Sequence, residues 1–143
     1  MPHVFENSVL RSNAAEDRAG LKEAAAVMRG LVSGRVFLGG QSYGGRQASV
    51  LAAEDGIATE GLLLLSYPLH PPGKPQLVRT SHWPALRTPA LFVHGSRDPF
   101  ASSEELRAAV ALIPALTRII LGCTQPNWEE YRHAVFIHNE KPL

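Results

Sequence analysis

The chain predicts an α/β fold, a parallel sheet with helices on both faces. Short apolar runs alternate with segments of helical periodicity along most of the 143 residues. One of those runs passes through a glycine-rich turn straight into a helical segment, the strand-turn-helix unit of a parallel sheet. No apolar run approaches the roughly 20 residues needed to span a bilayer, so the runs read as buried strands. With this length and a hydrophobic content of 45%, residues 1–143 are expected to form one domain with its own core.

The elements follow in order. From Ala14 to Arg29, Leu21, Ala24, Ala25 and Met28 recur on one helical face, Asn13 with Glu16 forms a capping pair, and Gly30 ends the helix. Arg35 to Gly39 is short and apolar enough for a strand buried on both faces. Tyr43 to Ala53 has helical spacing through Ala48, Leu51 and Ala52 and stops at Glu54-Asp55-Gly56. The leucines of Gly61 to Ser66 fit either element by periodicity, and the flanking Gly61 and Pro68 favour a strand. Ser66 to Pro89 is rich in proline and lacks a period, so it reads as a long loop of the kind that lines a site. Ala90 to His94 is another strand. Ser102 and Glu105 form a capping box that opens a helix through Leu106, Val110 and Ile113. Thr117 to Leu121 is the fourth strand, and the tail beyond it has one short apolar patch, Ala134 to Ile137, that the pattern does not place.

Charge excludes some classes of partner. Fourteen Lys+Arg against thirteen Asp+Glu give a net charge of +1 with neither sign gathered into a block, so neither nucleic acid nor an anionic membrane is expected as a partner. The single cysteine, Cys123, excludes an intrachain disulfide framework and a CxxC zinc site and fits a reducing compartment. The opening MPHVFENSVLRSN has no basic-then-apolar leader pattern, and a cytoplasmic protein is expected. No cofactor or metal is expected.

The chemistry points to Gly40-Gln41-Ser42-Tyr43-Gly44, which matches G-x-S-x-G. In that turn a serine is pushed out above the carboxyl ends of the strands, and the glycines on either side let strand and helix approach. The motif arises by chance in roughly 5% of chains this long, so its weight comes from the apolar strand before it and the helix after it. The helix aims its first N–H groups at the site, and the Tyr43 N–H is the expected oxyanion donor. A serine hydroxyl needs a base, and the base needs an orienting acid. Of three aspartates, Asp98 lies in HGSRDPF just beyond a strand, at the Ser42 end of a parallel sheet; its other reading is a turn cap. The order Ser, Asp, His asks for a histidine after the fourth strand, and His133 is preferred over His138, with His70 near a neighbouring strand end as a further approach to Ser42 and a substrate contact. His94 reads as structural, and His3 and His82 as surface or loop residues.

Three blocks, GGQSYGGRQAS, LLLSYPLHPPGKP and LFVHGSRDPF, together resemble the α/β-hydrolase superfamily, close to dienelactone-hydrolase-like proteins and the hydrolase-like domain of the third subunit of the NSL histone-acetyltransferase complex. The resemblance spans roughly Ala14 to Leu121. It implies a serine hydrolase with Ser42 as nucleophile, Asp98 as acid and the Tyr43 N–H as one oxyanion donor. It also implies two departures. The family histidine would fall near Asn127, whose amide cannot shuttle a proton near neutral pH, and the strands that usually precede the nucleophile strand are absent, giving a truncated α/β-hydrolase fold. One flank of the nucleophile strand would then be open to pairing with another chain, a route to a homo-oligomer. The expected activity is esterase-type hydrolysis of a small ester or acyl substrate through Ser42, Asp98 and His133, with the Tyr67 to Pro89 loop as substrate wall. The alternative is an inactive hydrolase-like fragment or partner-binding module.

Overall fold

Helix ends are set by local chemistry. In the computed structural model, which describes residues 13–122, Asn13 caps helix α1 (Ala14–Leu31) by accepting the Ala15 N–H at 2.9 Å, one residue earlier than the expected Glu16 pairing requires. Glu16 and Asp17 in its first turn and Arg29 in its last complement the helix dipole. Strand β1 (Phe37–Gln41) leads into helix α2 (Tyr43–Glu54), followed by β2 (Gly61–Leu65), a single 3₁₀ turn at Trp83–Ala85, β3 (Ala90–Gly95), helix α3 (Ser103–Ala109), a second 3₁₀ turn at Val110–Leu112, and β4 (Thr117–Gly122). The expected capping box forms in full at Ser102 and Glu105. The β1 ladder starts later than the apolar run because the Val36 and Leu38 N–H groups donate to the side chains of Glu60 and Thr59.

All four strands are parallel in the order β1-β2-β3-β4, with Gln41 opposite Leu65, Leu65 opposite Val93, and Val93 opposite Ile120. Strands taken one after another in a single direction, each reached by a right-handed crossover, place their connections on the same face. Accordingly the described helices feed one cluster: Ala48 and Ala52 of α2, Leu106 of α3, Trp83 and Ile113, packed on Leu62, Leu64, Ala90 and Phe92, with Leu21 of α1 against its margin. The opposite face carries Phe37, Leu63, Leu65, Leu91 and Ile120, half-buried to exposed. Among the described residues β1 is an edge strand, and Phe37 on it is 57% exposed.

The long 66–89 segment takes the place of a crossover helix, with buried side chains on either side of an exposed stretch at residues 72–78. Tyr67, Leu69, Trp83 and Leu86 are all buried, and Tyr67, Trp83 and Phe92 form a tilted and edge-to-face aromatic trio with centroids 5.1 to 6.0 Å apart. The Tyr67 hydroxyl donates to the Arg79 carbonyl at 2.8 Å and the Arg79 N–H to the Leu69 carbonyl at 2.7 Å, closing the segment on itself.

Candidate active site

The site is built where β1 turns into α2. The Ser42 N–H donates to the Leu65 carbonyl at 2.8 Å, continuing the sheet, and its carbonyl accepts the Arg46 N–H at 3.0 Å, starting the helix. One residue serves both elements only by adopting φ 52° and ψ −120°. That backbone is sterically costly for a residue with a β-carbon. The strand-to-helix turn expected here therefore carries a left-handed φ at Ser42. The close approach it requires falls on a different glycine pair from the one the motif names. A β-carbon at Gly40 would meet the Gly44 carbonyl carbon at 2.7 Å, and one at Gly45 would meet the Gly40 oxygen at 2.6 Å, whereas one at Gly44 would meet nothing within 4 Å. The second glycine of the motif is spatially free, and the constraint sits one residue on, because the Gly45 position is the one that faces back onto the strand.

The first turn of α2 leaves N–H groups without intrahelical partners, and those of Tyr43 and Gly44 open it. The Tyr43 side chain is turned away to α1, its hydroxyl donating to Asp17 at 2.7 Å. That hydrogen bond to the Asp17 carboxylate, aided by some desolvation, raises the phenol above its ordinary pKa. The Tyr43 side chain is thus engaged with α1, while its backbone N–H belongs to the open first turn of α2.

Asp98 lies beyond β3, at the sheet end that carries Ser42, and is 6% exposed. Its Oδ1 accepts the Phe100 N–H at 2.9 Å, the turn-capping role, while Oδ2 stands 4.0 Å from His94 Nδ1. His94 is buried on β3, and its Nε2 contacts the Ala101 carbonyl at 2.7 Å, an N–H donor geometry that leaves Nδ1 toward the carboxylate. This is the structural histidine that its strand position implies.

His70, the expected substrate contact, lies near the start of the 66–89 segment. It is 5% exposed and locked in place: Nδ1 is 2.8 Å from the Pro71 carbonyl, Nε2 is 2.8 Å from Glu105 Oε2 in an ion-pair contact out of line for a hydrogen bond, and the backbone N–H donates to the Phe100 carbonyl. Glu105 is held below the usual carboxylate range, first by the Ser102 N–H and hydroxyl and then by His70. The ring therefore ties the start of the 66–89 segment to the cap of α3. His82 is likewise more than a loop residue. Its Nε2 is 2.8 Å from the hydroxyl of Ser49, which is fully buried on α2 and also donates to the Arg46 carbonyl at 2.7 Å. Desolvation, with the Arg46 charge second, lowers His82 from 6.5 to about 4. None of His70, His82 and His94 hydrogen-bonds to Ser42. His133, His138 and Asn127 lie outside the described residues.

Two features were not legible in the sequence. The Ser49-His82 contact joins residues 33 apart, with no motif to announce it. Ser66, at the end of β2, takes φ 49° and buries its hydroxyl without a partner; its one sequence signal is that it ends an apolar strand beside the one that carries the elbow.

Comparison with known proteins agrees with this geometry. A family model described as an alpha/beta hydrolase domain matches residues 11–122. Among solved structures, the monoacylglycerol lipase of Paleococcus ferrophilus is similar at a TM-score of 0.55 and 15% identity, covering 80% of this chain and 73% of that one. Est816, described as an N-acyl homoserine lactone degrading enzyme, is similar at 0.52 and 14%, covering 83% and 73%. At these identities the two structures share the fold.

Proposed function

Because the chain belongs to the alpha/beta hydrolase domain family, we propose that it is a serine hydrolase of the esterase type, acting on a small ester, lactone or acyl compound. The observation that carries this reading is the Ser42 backbone at φ 52° and ψ −120°, a sterically costly conformation at the turn where β1 ends and α2 begins. The two similar structures are a monoacylglycerol lipase and an N-acyl homoserine lactone degrading enzyme, and a glyceride and a lactone both contain an acyl–oxygen bond. The three sequence blocks draw the reading further toward dienelactone-hydrolase-like proteins.

The chemistry assigns each group one task. A base withdraws the Ser42 proton as Oγ bonds to the acyl carbon, the carbonyl π electrons move onto oxygen, and the Tyr43 N–H stabilises the resulting oxyanion. The oxyanion collapses, the acyl–oxygen bond breaks, and the departing alkoxide takes the proton from the base. Water then repeats the sequence on the acyl-enzyme and releases the acid. His133 is the proposed base and Asp98 its orienting acid. The 66–89 segment is anchored by its own buried side chains, so it walls the site as a fixed surface, and a small substrate fits better than a bulky lipid.

A second reading, a partner-binding module without turnover, draws on the engagement of all three described imidazoles elsewhere and on Asp98 Oδ1 capping a turn. A fluorophosphonate probe separates the two. Wild-type protein is expected to be labelled and Ser42→Ala protein not. Folded wild-type protein that resists the probe would sink the hydrolase reading in favour of the binding module.

A further inference from the structure

The two non-glycine residues with positive φ among those described are Ser42 and Ser66, at 52° and 49°. They are neighbours. Gln41 pairs with Leu65, the Ser42 N–H donates to the Leu65 carbonyl, and the Ser66 N–H donates in turn to the Val93 carbonyl at 2.9 Å. Each serine is thus the first residue past the end of its strand, one strand spacing of about 4.8 Å apart. Ser66 is 9% exposed, and its hydroxyl is fully buried with no hydrogen-bond partner. The Ser42 hydroxyl makes no capping bond to its helix and has no partner among the described residues either.

Serine is an expensive residue at position 66. Glycine would adopt φ 49° without a steric penalty and would bring no orphan hydroxyl to desolvate. Two costs at one position, beside the other positive-φ serine among the described residues, have a common explanation if the hydroxyl serves its neighbour. We propose that Ser66 assists the Ser42 nucleophile: its hydroxyl, which makes no hydrogen bond in this structure, turns to donate one to Ser42 Oγ as the Ser42 proton leaves, and so stabilises that oxygen. This rests on the reading of Ser42 as a nucleophile.

The test uses the full chain and the saturation kinetics of fluorophosphonate labelling, separating the maximal labelling rate from the probe concentration at half-saturation. Wild-type labelling is measured first, because its absence overturns the nucleophile reading itself. If wild type reacts, Ser66→Ala and Ser66→Gly are each expected to lower the maximal rate by roughly 2- to 13-fold, the worth of one hydrogen bond of ordinary strength, and to leave half-saturation unchanged. The glycine variant relieves the backbone, so it is expected to melt above the alanine variant and keeps the test valid if alanine folds poorly. A glycine variant that labels at the wild-type rate overturns the proposal. So does a loss that appears in half-saturation alone, which would mean that Ser66 shapes probe binding and does not act on Ser42.

Discussion

His82 offers the most direct test of how the 66–89 segment is held. The ring is half-buried against Ser49, with the Arg46 guanidinium as the facing charge. Because the Ser49 hydroxyl proton is committed to the Arg46 carbonyl, Nε2 carries the N–H toward Ser49, and Nδ1 holds the lone pair that titrates. Its folded-state pKa of about 4 lies below the ordinary histidine value of 6.5. Between those two values the unfolded chain binds the proton and the folded chain does not, so stability rises with pH across this window. The contribution is complete above pH ~6.5, is lost progressively as the pH falls, and reaches its floor near pH ~4. The full gap corresponds to about 3 kcal/mol at one pKa unit per 1.36 kcal/mol. With the ring partly reached by solvent, which screens the Arg46 field, about 1 to 2 kcal/mol is expected between pH ~7 and pH ~5.

The assay is urea unfolding of wild type and His82→Gln at those two pH values. Glutamine keeps an N–H for Ser49 and cannot titrate, so its stability should fall less on acidification, by about 1 to 2 kcal/mol. Carboxylates contribute to the pH dependence of both proteins and cancel in the difference. Parallel loss of stability in the two proteins would refute the reasoning and leave the Ser49 contact as a neutral bond with no titrating partner.

The glycine turn gives an expectation opposite to that of its motif. Gly45→Ala should destabilise the fold by about 1 to 3 kcal/mol through its clash with the Gly40 carbonyl, while Gly44→Ala should hold or raise stability by up to about 1 kcal/mol as a helical position with free space; chemical denaturation of the two single variants ranks them. The edge position of β1, with Phe37 exposed on it, leads us to expect that the protein self-associates and that Phe37→Lys weakens the association by placing charge on the edge. Light scattering across a concentration series checks this, and a wild-type protein that stays monomeric throughout counts against it.

What the sequence could reveal depended on how local the cause was. The capping box at Ser102 was legible because both partners lie within one helical turn, and the strands because each is a contiguous apolar run bounded by punctuating residues. Trp83 and Tyr67 were hidden for the converse reason. They occupy an aperiodic, proline-rich segment, and nothing in a one-dimensional pattern says that such a segment will fill the core of a crossover that lacks a helix. The elbow shows the same limit on a finer scale. G-x-S-x-G marks the turn correctly, yet the contact between Gly40 and Gly45 depends on how the helix lies against its strand. His70 and His82 were read by distance along the chain from a strand end, but their partners, Glu105 and Ser49, come from other elements. Neither imidazole so held hydrogen-bonds to Ser42. In the proposed reaction His133 brings the lone pair to Ser42, and on our proposal the neighbouring Ser66 hydroxyl eases the release of that proton.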